Sequence, residues 1–153
     1  MDIVDCLDPG CVCFLSGSTK QEAVAALVAL LCRVCSELDA AQVQEAVAAR
    51  EGLMSTGIGL GIGVPHVRLE GVAKLVMAVG IHPTGITDYE SLDGKPVRIV
   101  VLIVGGKQQH QDYVRLLANL VALLKEEQFR AALLGQDTPE GVHKLLVGPP
   151  AGN

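Results

Sequence analysis

The segment from Gly57 to His66 constrains the fold of this chain more than any other. Between Gly57 and Val64, glycines alternate strictly with aliphatic residues. A period of two is that of a β-strand, whose side chains point alternately to its two faces. One face of the predicted strand is apolar and the other is bare, as happens where a backbone or a ligand comes close. Pro65 ends the predicted strand, so His66 is the first side chain presented beyond it.

The glycine spacing excludes two nucleotide-binding loops. The pattern G-x-G-x-x-G fails because Ile62 stands where a glycine is required, and no G-x-x-x-x-G-K-[ST] occurs in the chain. Two interpretations of the segment remain open. Either the strand delivers a functional histidine, or it is a glycine-rich edge strand whose His66 only caps a turn.

Composition narrows the class of protein. The 153 residues are half apolar but only 3% aromatic, with no tryptophan, so the core of the predicted single domain consists of Val, Leu, Ile and Ala. The net charge of −5 argues against nucleic acid or an anionic membrane as partner. There is no basic N-terminal region, and no apolar run reaches the ~20 residues of a membrane helix. We therefore expect a cytoplasmic protein that is not embedded in a membrane.

Five cysteines in a chain without a secretion signal suit a reducing compartment. Cys32 and Cys35 match C-x-x-C, but they fall deep in a predicted helix, on its apolar face, and not at the helix N-terminus that a redox motif uses. A zinc site that adds Cys11 and Cys13 lacks the usual spacing. We interpret the cysteines as small buried hydrophobic residues, and we predict no metal site and no cofactor.

Helices and strands alternate along the chain, which favours an α/β layer fold. Strands are predicted over 11–15, 57–64, 75–81 and 97–104, and helices over 20–36, 40–49, 109–126, 127–135 and 139–147. Thr19 and Glu22 form a capping box for the first helix, and Asp39 caps the second. The segment 67–71 is predicted as a helical turn or loop, and 82–96 as a loop.

The ordered run Arg50-Glu51-Gly, Ser55-Thr56-Gly57-Ile58-Gly59 and Gly61-Ile62-Gly63-Val64-Pro65-His66 resembles a known signature. It is similar to the type-2 enzyme IIA domains of the bacterial phosphoenolpyruvate-dependent phosphotransferase system, the fructose, mannitol and nitrogen-regulatory family. The resemblance implies a single mixed β-sheet flanked by helices. It covers essentially the whole chain, as one domain over residues 1–147 with a flexible tail at 148–153.

The resemblance also implies roles for two residues. His66 would accept a phosphoryl group from an HPr-like phosphohistidine carrier protein, which is chemically sound because much of an imidazole is unprotonated near neutral pH. Arg50 occupies the place of the family's active-site arginine, and its planar fork of donors matches phosphate oxygens. Its alternative role, complementing the dipole at a helix C-terminus, is compatible with the first.

The chain departs from the family pattern at a third position. Tyr113 stands where the family often has a second histidine, and His110 lies one turn earlier. A tyrosine can donate a hydrogen bond to phosphate or hold the imidazole of His66, but it supplies no positive charge; alternatively it begins the apolar stripe of the helix. Ser55 and Thr56 are candidates for phosphoryl contact, with a local structural role preferred.

Two classes of function follow. A transport subunit would pass the phosphoryl group to a cysteine of a IIB domain. A stand-alone, nitrogen-regulatory-like module would bind kinases or transporters, with the charge added at His66 switching those contacts. Because Tyr113 replaces the second histidine of the family, phosphotransfer by such a module would be impaired, and a relative that accepts no phosphoryl group is a third alternative.

Overall fold

A computed structural model of the protein describes residues 2–148 and confirms an α/β fold with one mixed sheet flanked by helices. The strands are β1 (Val12–Phe14), β2 (Gly57–Gly59), β3 (Ile62–Gly63), β4 (His66–Leu69), β5 (Val76–Ile86) and β6 (Val97–Gly106). The helices are α1 (Ile3–Cys6), α2 (Lys20–Val34), α3 (Ala40–Leu53), α4 (His110–Leu124), α5 (Glu127–Leu134) and α6 (Pro139–Val147). All of the predicted tail beyond residue 148 lies outside the described residues. Within 2–148, no helix is both long and apolar enough to cross a membrane.

The sheet is built around β5 and β6, which pair antiparallel along most of their length. The strand order is β1-β5-β6-β3-β2, and β4 also pairs with β6. Both β3 and β4 run parallel to β6, one after the other along the same edge: Ile62 lies opposite Ile99, and His66 lies opposite Ile103. The chain between β3 and β4 is therefore stretched along β6, and this fixes where His66 emerges.

The core consists of aliphatic side chains, as the composition predicts. Residues 99–104 of β6 are all fully buried, which explains why that segment is a continuous apolar run and not an alternating one. The helices begin where their capping residues predict. The Thr19 hydroxyl accepts from the Glu22 amide at 3.1 Å, and the Asp39 carboxylate accepts from the Gln42 amide at 3.1 Å.

The prediction of one strand over residues 57–64 is wrong. The segment is a hairpin in which β2 and β3 pair antiparallel. Gly59, Leu60 and Gly61 all have positive φ, at 94°, 60° and 76°, so the chain reverses there. Asp93 accepts a hydrogen bond from the Leu60 amide at 2.8 Å and holds the turn. Alternating glycines imitate the strand period, but the same glycines supply the conformations that a tight turn needs.

The glycine face, expected to lie close to a backbone or a ligand, is covered by the loop after β5. A Cβ on Gly57 would collide with the Glu90 carbonyl oxygen, and a Cβ on Gly63 would lie 2.6 Å from the Tyr89 ring. The glycines therefore accommodate a segment of this chain and not a partner's phosphohistidine.

Two further boundaries differ from prediction. Residues 67–69, expected as part of a helical turn or loop, belong to β4, because their backbone pairs with β6, whereas residues 70 and 71 form a turn. β5 continues to Ile86 instead of ending at residue 81, so His82 lies buried in a strand and not in a loop. The short α1 and a 3-10 turn at Pro9–Cys11 precede β1 and were not predicted.

Candidate functional site

His66 begins β4 and presents its Nε2 atom away from its own backbone. The Pro65 carbonyl accepts from the Ile103 amide at 3.0 Å, which anchors the backbone beside the histidine. The Nδ1 atom lies 2.6 Å from the Val64 carbonyl oxygen. A carbonyl can only accept, so Nδ1 carries the proton and Nε2 carries the free lone pair. The half-buried ring is thus fixed in one tautomer, with an unprotonated Nε2 atom.

The His66 ring lines an open cleft of about 790 Å³ between α3, β4 and α4. The cleft is lined by Ala46, Ala49, Arg50, His66, Val67, Arg68, Lys107 and Tyr113. Three of these side chains are cationic and none is a carboxylate. We call this set the His66 cleft. Its charge suits a group that carries negative charge, such as phosphate.

Arg50 reaches the cleft from the last turn of α3, which extends to Leu53 and not only to residue 49 as predicted. Its Nη1 atom donates to the Met54 carbonyl oxygen at 2.8 Å, beyond the end of the helix. This bond uses one of the five N–H donors of the guanidinium and fixes its direction. Arg50 therefore complements the helix C-terminus and still has N–H donors at the wall of the cleft.

Tyr113 packs beside His66 from the first turn of α4. The ring centroids are 5.7 Å apart with the planes tilted by 55°. Burial raises the pKa of Tyr113 to about 12, although the positive charges of Arg68 and Arg50 oppose the rise. Its hydroxyl therefore stays protonated near neutral pH and remains a hydrogen-bond donor. The side chain is 8% exposed, so it is both part of the core and a wall of the cleft.

Two cationic residues of the cleft were missed by the sequence analysis. Arg68 lies two residues after His66, and residues i and i+2 of a strand share a face. The signal was present in the sequence but was hidden by the prediction of a helical turn or loop at 67–71. Lys107, just after β6, reaches the cleft only through the fold and lies 3.7 Å from the exposed Glu70 carboxylate.

The other sequence candidates do not line the cleft. The Ser55 hydroxyl donates to the Glu90 carbonyl at 2.6 Å. The Thr56 hydroxyl is buried and pairs with the Tyr89 hydroxyl at 2.8 Å. Both side chains therefore tie the hairpin to the loop that covers its glycines. His110 is exposed at the first position of α4, outside the set of lining residues.

A buried polar network supports the end of α3 next to Arg50. The Glu51 carboxylate accepts from the Lys20 ammonium at 2.6 Å and from the Thr56 amide at 3.2 Å. Lys20 also lies 4.4 Å from the centroid of the Tyr89 ring. Burial raises the pKa of Tyr89, which stays neutral. The network joins α2, α3, the hairpin and the loop, so it holds the parts of the chain that carry Arg50 and β3.

The two remaining histidines and the cysteines do not line the His66 cleft. His82 accepts from the Gly85 amide at 2.8 Å, and the His143 Nε2 atom lies 3.1 Å from the Leu7 carbonyl. Burial raises the pKa of Cys6 and of Cys11 to about 11, so both remain thiols. Cys35 lies at the C-cap of α2 and not deep within it, which corrects its predicted place. In the described part of the chain, no group of three or more His, Cys, Asp or Glu side chains is arranged to hold a metal ion.

Comparison with known proteins agrees with this geometry. The family model "Phosphoenolpyruvate-dependent sugar phosphotransferase system, EIIA 2" matches residues 6–147. A nitrogen regulatory protein of Pseudomonas aeruginosa is 31% identical over 131 residues, which are 86% of this chain and 84% of that protein. The crystal structure of the nitrogen regulatory protein IIA-Ntr from Neisseria meningitidis superimposes with a TM-score of 0.85 at 26% identity, over 92% of this chain and 95% of that one.

A third comparison involves a complex. The structure of enzyme IIAMTL with phosphorylated enzyme IIBMTL from Escherichia coli contains a chain of the same fold, with a TM-score of 0.73 at 23% identity, over 94% of this chain and 99% of that one. IIA domains thus interact with IIB domains in that system. Because the family model spans nearly the whole chain, the chain belongs to the EIIA 2 family of the phosphoenolpyruvate-dependent sugar phosphotransferase system.

Proposed function

We propose that the chain is a phosphocarrier whose His66 Nε2 atom accepts a phosphoryl group from an HPr-like phosphohistidine carrier protein. The observation that carries the proposal is the 2.6 Å contact between Nδ1 and the Val64 carbonyl, which leaves the Nε2 lone pair free beside three cationic side chains. Phosphoryl transfer needs positioning and charge stabilisation more than covalent machinery. The His66 cleft offers both.

The transfer balances without movement of a proton. The bond from phosphorus to the donor's imidazole nitrogen breaks as the bond to His66 Nε2 forms. The donor ring, protonated on its other nitrogen, leaves as a neutral imidazole. The proton of His66 stays on Nδ1 and remains donated to the Val64 carbonyl, and this hydrogen bond stabilises the positive charge that the phosphorylated ring acquires. Arg50 donates to the phosphoryl oxygens, and the Tyr113 hydroxyl supports the ring or the phosphate.

Ser55, Thr56 and His110 have indirect roles in this proposal. Ser55 and Thr56 position β2 and β3 through their bonds to the loop at Glu90 and Tyr89. His110 is exposed at the start of α4, where its side chain can contact a docked partner.

An apolar surface for docking lies beside the cleft. Leu53, Met54 and Leu92 are 85%, 72% and 86% exposed. Leu53 and Met54 follow Arg50 at the end of α3. Leu92 is connected to β2, which follows α3 in the chain, because its amide donates to the Gly57 carbonyl at 3.1 Å. Large exposed apolar side chains grouped next to a charged cleft are typical of a surface that binds another protein.

The proposal has two possible continuations. The phosphoryl group passes to a cysteine of a IIB domain, or its charge of about −1.5 to −2 offsets the cations of the cleft and changes binding to a kinase or transporter. The nitrogen-regulatory relatives favour regulation as the second candidate, and so does the neutral Tyr113 at the place of a histidine.

Intact-mass spectrometry after incubation with phosphoenolpyruvate, enzyme I and the carrier protein tests the acceptor. We expect one acid-labile phosphoryl group on the wild type and on His143→Gln, a control on α6, and none on His66→Ala. Absence of addition to folded wild type would overturn the proposal for that donor. Adding a IIB domain then separates the continuations, because loss of the label to its cysteine indicates transport and retention indicates regulation.

A further inference from the structure

We propose that Arg68 is the second guanidinium of the phosphoryl site and supplies the positive charge that Tyr113 cannot. The inference deepens the proposed function and rests on His66 as the acceptor. A phosphoryl group on Nε2 brings about −1.5 to −2 charges into the cleft. Arg50 compensates part of this charge, Lys107 shares its charge with Glu70, and the neutral Tyr113 compensates none.

The position of Arg68 follows from β4. His66 and Arg68 are two residues apart on a strand, so their side chains leave the same face, with Cα atoms about 6.6 Å apart at a rise of ~3.3 Å per residue. The burial pattern of β4 agrees: Val67 and Leu69 are buried, whereas His66 is half-buried and Arg68 exposed. Pairing of β4 with β6 fixes this register, because Arg68 lies opposite Gly105.

The guanidinium of Arg68 packs against the ring of Tyr113. The Arg68 Cζ atom lies 5.7 Å from the centroid of the Tyr113 ring, within the range of a cation–π contact. The same ring lies 5.7 Å from the His66 ring. One tyrosine therefore touches the acceptor and the cation, and it orders them relative to each other.

The guanidinium is also free to bind an anion. Among residues 2–148, no carboxylate lies within ion-pair distance of Arg68, whereas Lys20 and Lys107 each have an acidic partner. An arginine without a carboxylate partner, stacked on an aromatic ring at the wall of a cleft, keeps its N–H donors available for phosphate oxygens. Arg50 on α3 and Arg68 on β4 then both point donors into the cleft that holds His66.

The test measures the rate of phosphorylation at His66 with two donors. One is the phosphohistidine carrier system. The other is potassium phosphoramidate, a small donor that loses ammonia as its P–N bond is replaced and that needs no docking surface. Signal from other histidines is subtracted with His66→Ala. The variants are Arg68→Ala, Arg68→Lys, Arg68→Gln and the matched control Arg33→Ala, which removes an exposed arginine at the far end of α2.

We expect Arg68→Ala to slow phosphorylation by both donors about 10- to 100-fold. Removing one hydrogen-bond donor from an enclosed oxyanion hole slows a reaction by ~10²–10³-fold. We expect a smaller effect for Arg68→Ala because the cleft is open to solvent. Arg68→Lys keeps the charge and recovers part of the rate, Arg68→Gln resembles Arg68→Ala, and Arg33→Ala matches the wild type. The difference between wild type and Arg68→Ala should shrink as ionic strength rises from ~0.05 M to ~1 M, because an exposed charge is screened. A purely structural residue would not show that dependence.

The outcomes separate this inference from the proposed function. Rates within twofold of wild type for folded Arg68→Ala and Arg68→Gln at low salt would overturn the role of Arg68. If phosphoramidate labels His66 but the carrier protein does not, the proposed donor is wrong, and the phosphoramidate rates alone decide about Arg68. If neither donor labels His66 in folded wild type, both proposals fall.

Discussion

Substituting Gly63 by alanine tests the finding that the loop, and not a partner, fills the glycine face of the hairpin. A Cβ at Gly63 would lie 2.6 Å, 2.8 Å and 2.9 Å from three atoms of Tyr89. Ordinary carbon contacts need about 3.5 Å, so the ring or the strand must move by about 0.9 Å. The strand is held by its pairing with β6, where Gly63 lies opposite Val100. The ring must therefore carry most of the movement.

The cost follows from the surroundings of the ring. Tyr89 is 1% exposed, so the ring has no solvent to move into, and overpacking of this kind costs about 1–3 kcal/mol. Its hydroxyl bonds Thr56 at 2.8 Å, and stretching that buried bond adds about 1 kcal/mol. We expect Gly63→Ala to lower the free energy of unfolding by about 2–4 kcal/mol.

Equilibrium unfolding in urea measures this change as a shift of the midpoint at constant slope. The matched control is Gly52→Ala, since Gly52 lies in the last turn of α3 with no atom within 4 Å of an added Cβ. Alanine there should be stabilising by about 0.5–1 kcal/mol. The double variant Gly63→Ala/Tyr89→Leu removes the clashing ring atoms, so it should be more stable than the sum of the single effects by about 1–3 kcal/mol.

A neutral or stabilising Gly63→Ala would refute the reasoning, as would strict additivity of the double variant. Either result would mean that Tyr89 does not occupy the space beside Gly63 in solution. The glycine face would then again be available to a partner.

Three further predictions concern Arg50, Thr56 and the two buried cysteines. Arg50→Lys keeps the charge but loses the planar fork, so phosphorylation of His66 should slow about tenfold, about 1.4 kcal/mol, in the mass-spectrometric assay; an unchanged rate would contradict a phosphate-binding role. Thr56→Val leaves the buried Tyr89 hydroxyl without its hydrogen-bond partner at 2.8 Å. The free energy of unfolding, measured in urea, should fall by about 1–3 kcal/mol. A fall below ~0.5 kcal/mol would contradict the hydrogen bond. Burial raises the pKa of Cys6 and Cys11 from 9.0 to about 11, so the unfolded state loses these protons first and stability should fall between about pH 9 and 11. Unfolding midpoints under reducing conditions measure that fall, and it should be smaller when both thiols are replaced by alanine.

The sequence alone predicted the features that depend on local chemistry. Thr19 with Glu22, and Asp39 with Gln42, marked the starts of α2 and α3 because a cap satisfies amides only a few residues away. The continuous apolar run at 97–104 predicted a strand, and the structure has β6 there. The α/β fold class could also be predicted, because helix and strand patterns alternate along the sequence, and the structure confirms it.

Some errors arose where one local pattern fits two structures. Alternating glycines satisfy both a strand and a turn, and only the pairing of β2 with β3 and the positive φ at Leu60 distinguish them. Residues 67–69 carry no strong strand pattern, and they become a strand through their pairing with β6, more than thirty residues ahead. The same error concealed Arg68, because its shared face with His66 exists only if the segment is extended.

His66, Arg50 and Tyr113 were nominated from the sequence by pattern and resemblance, but their meeting in one cleft was decided by the tertiary structure. They lie on β4, α3 and α4, and the sheet edge along β6 brings these elements together. The tautomer of His66, the burial that keeps Tyr113 protonated and the charge of Lys107 in the cleft all depend on contacts between segments far apart in sequence. Local patterns identify which residues are candidates, whereas long-range packing decides which of them lie in the same cleft.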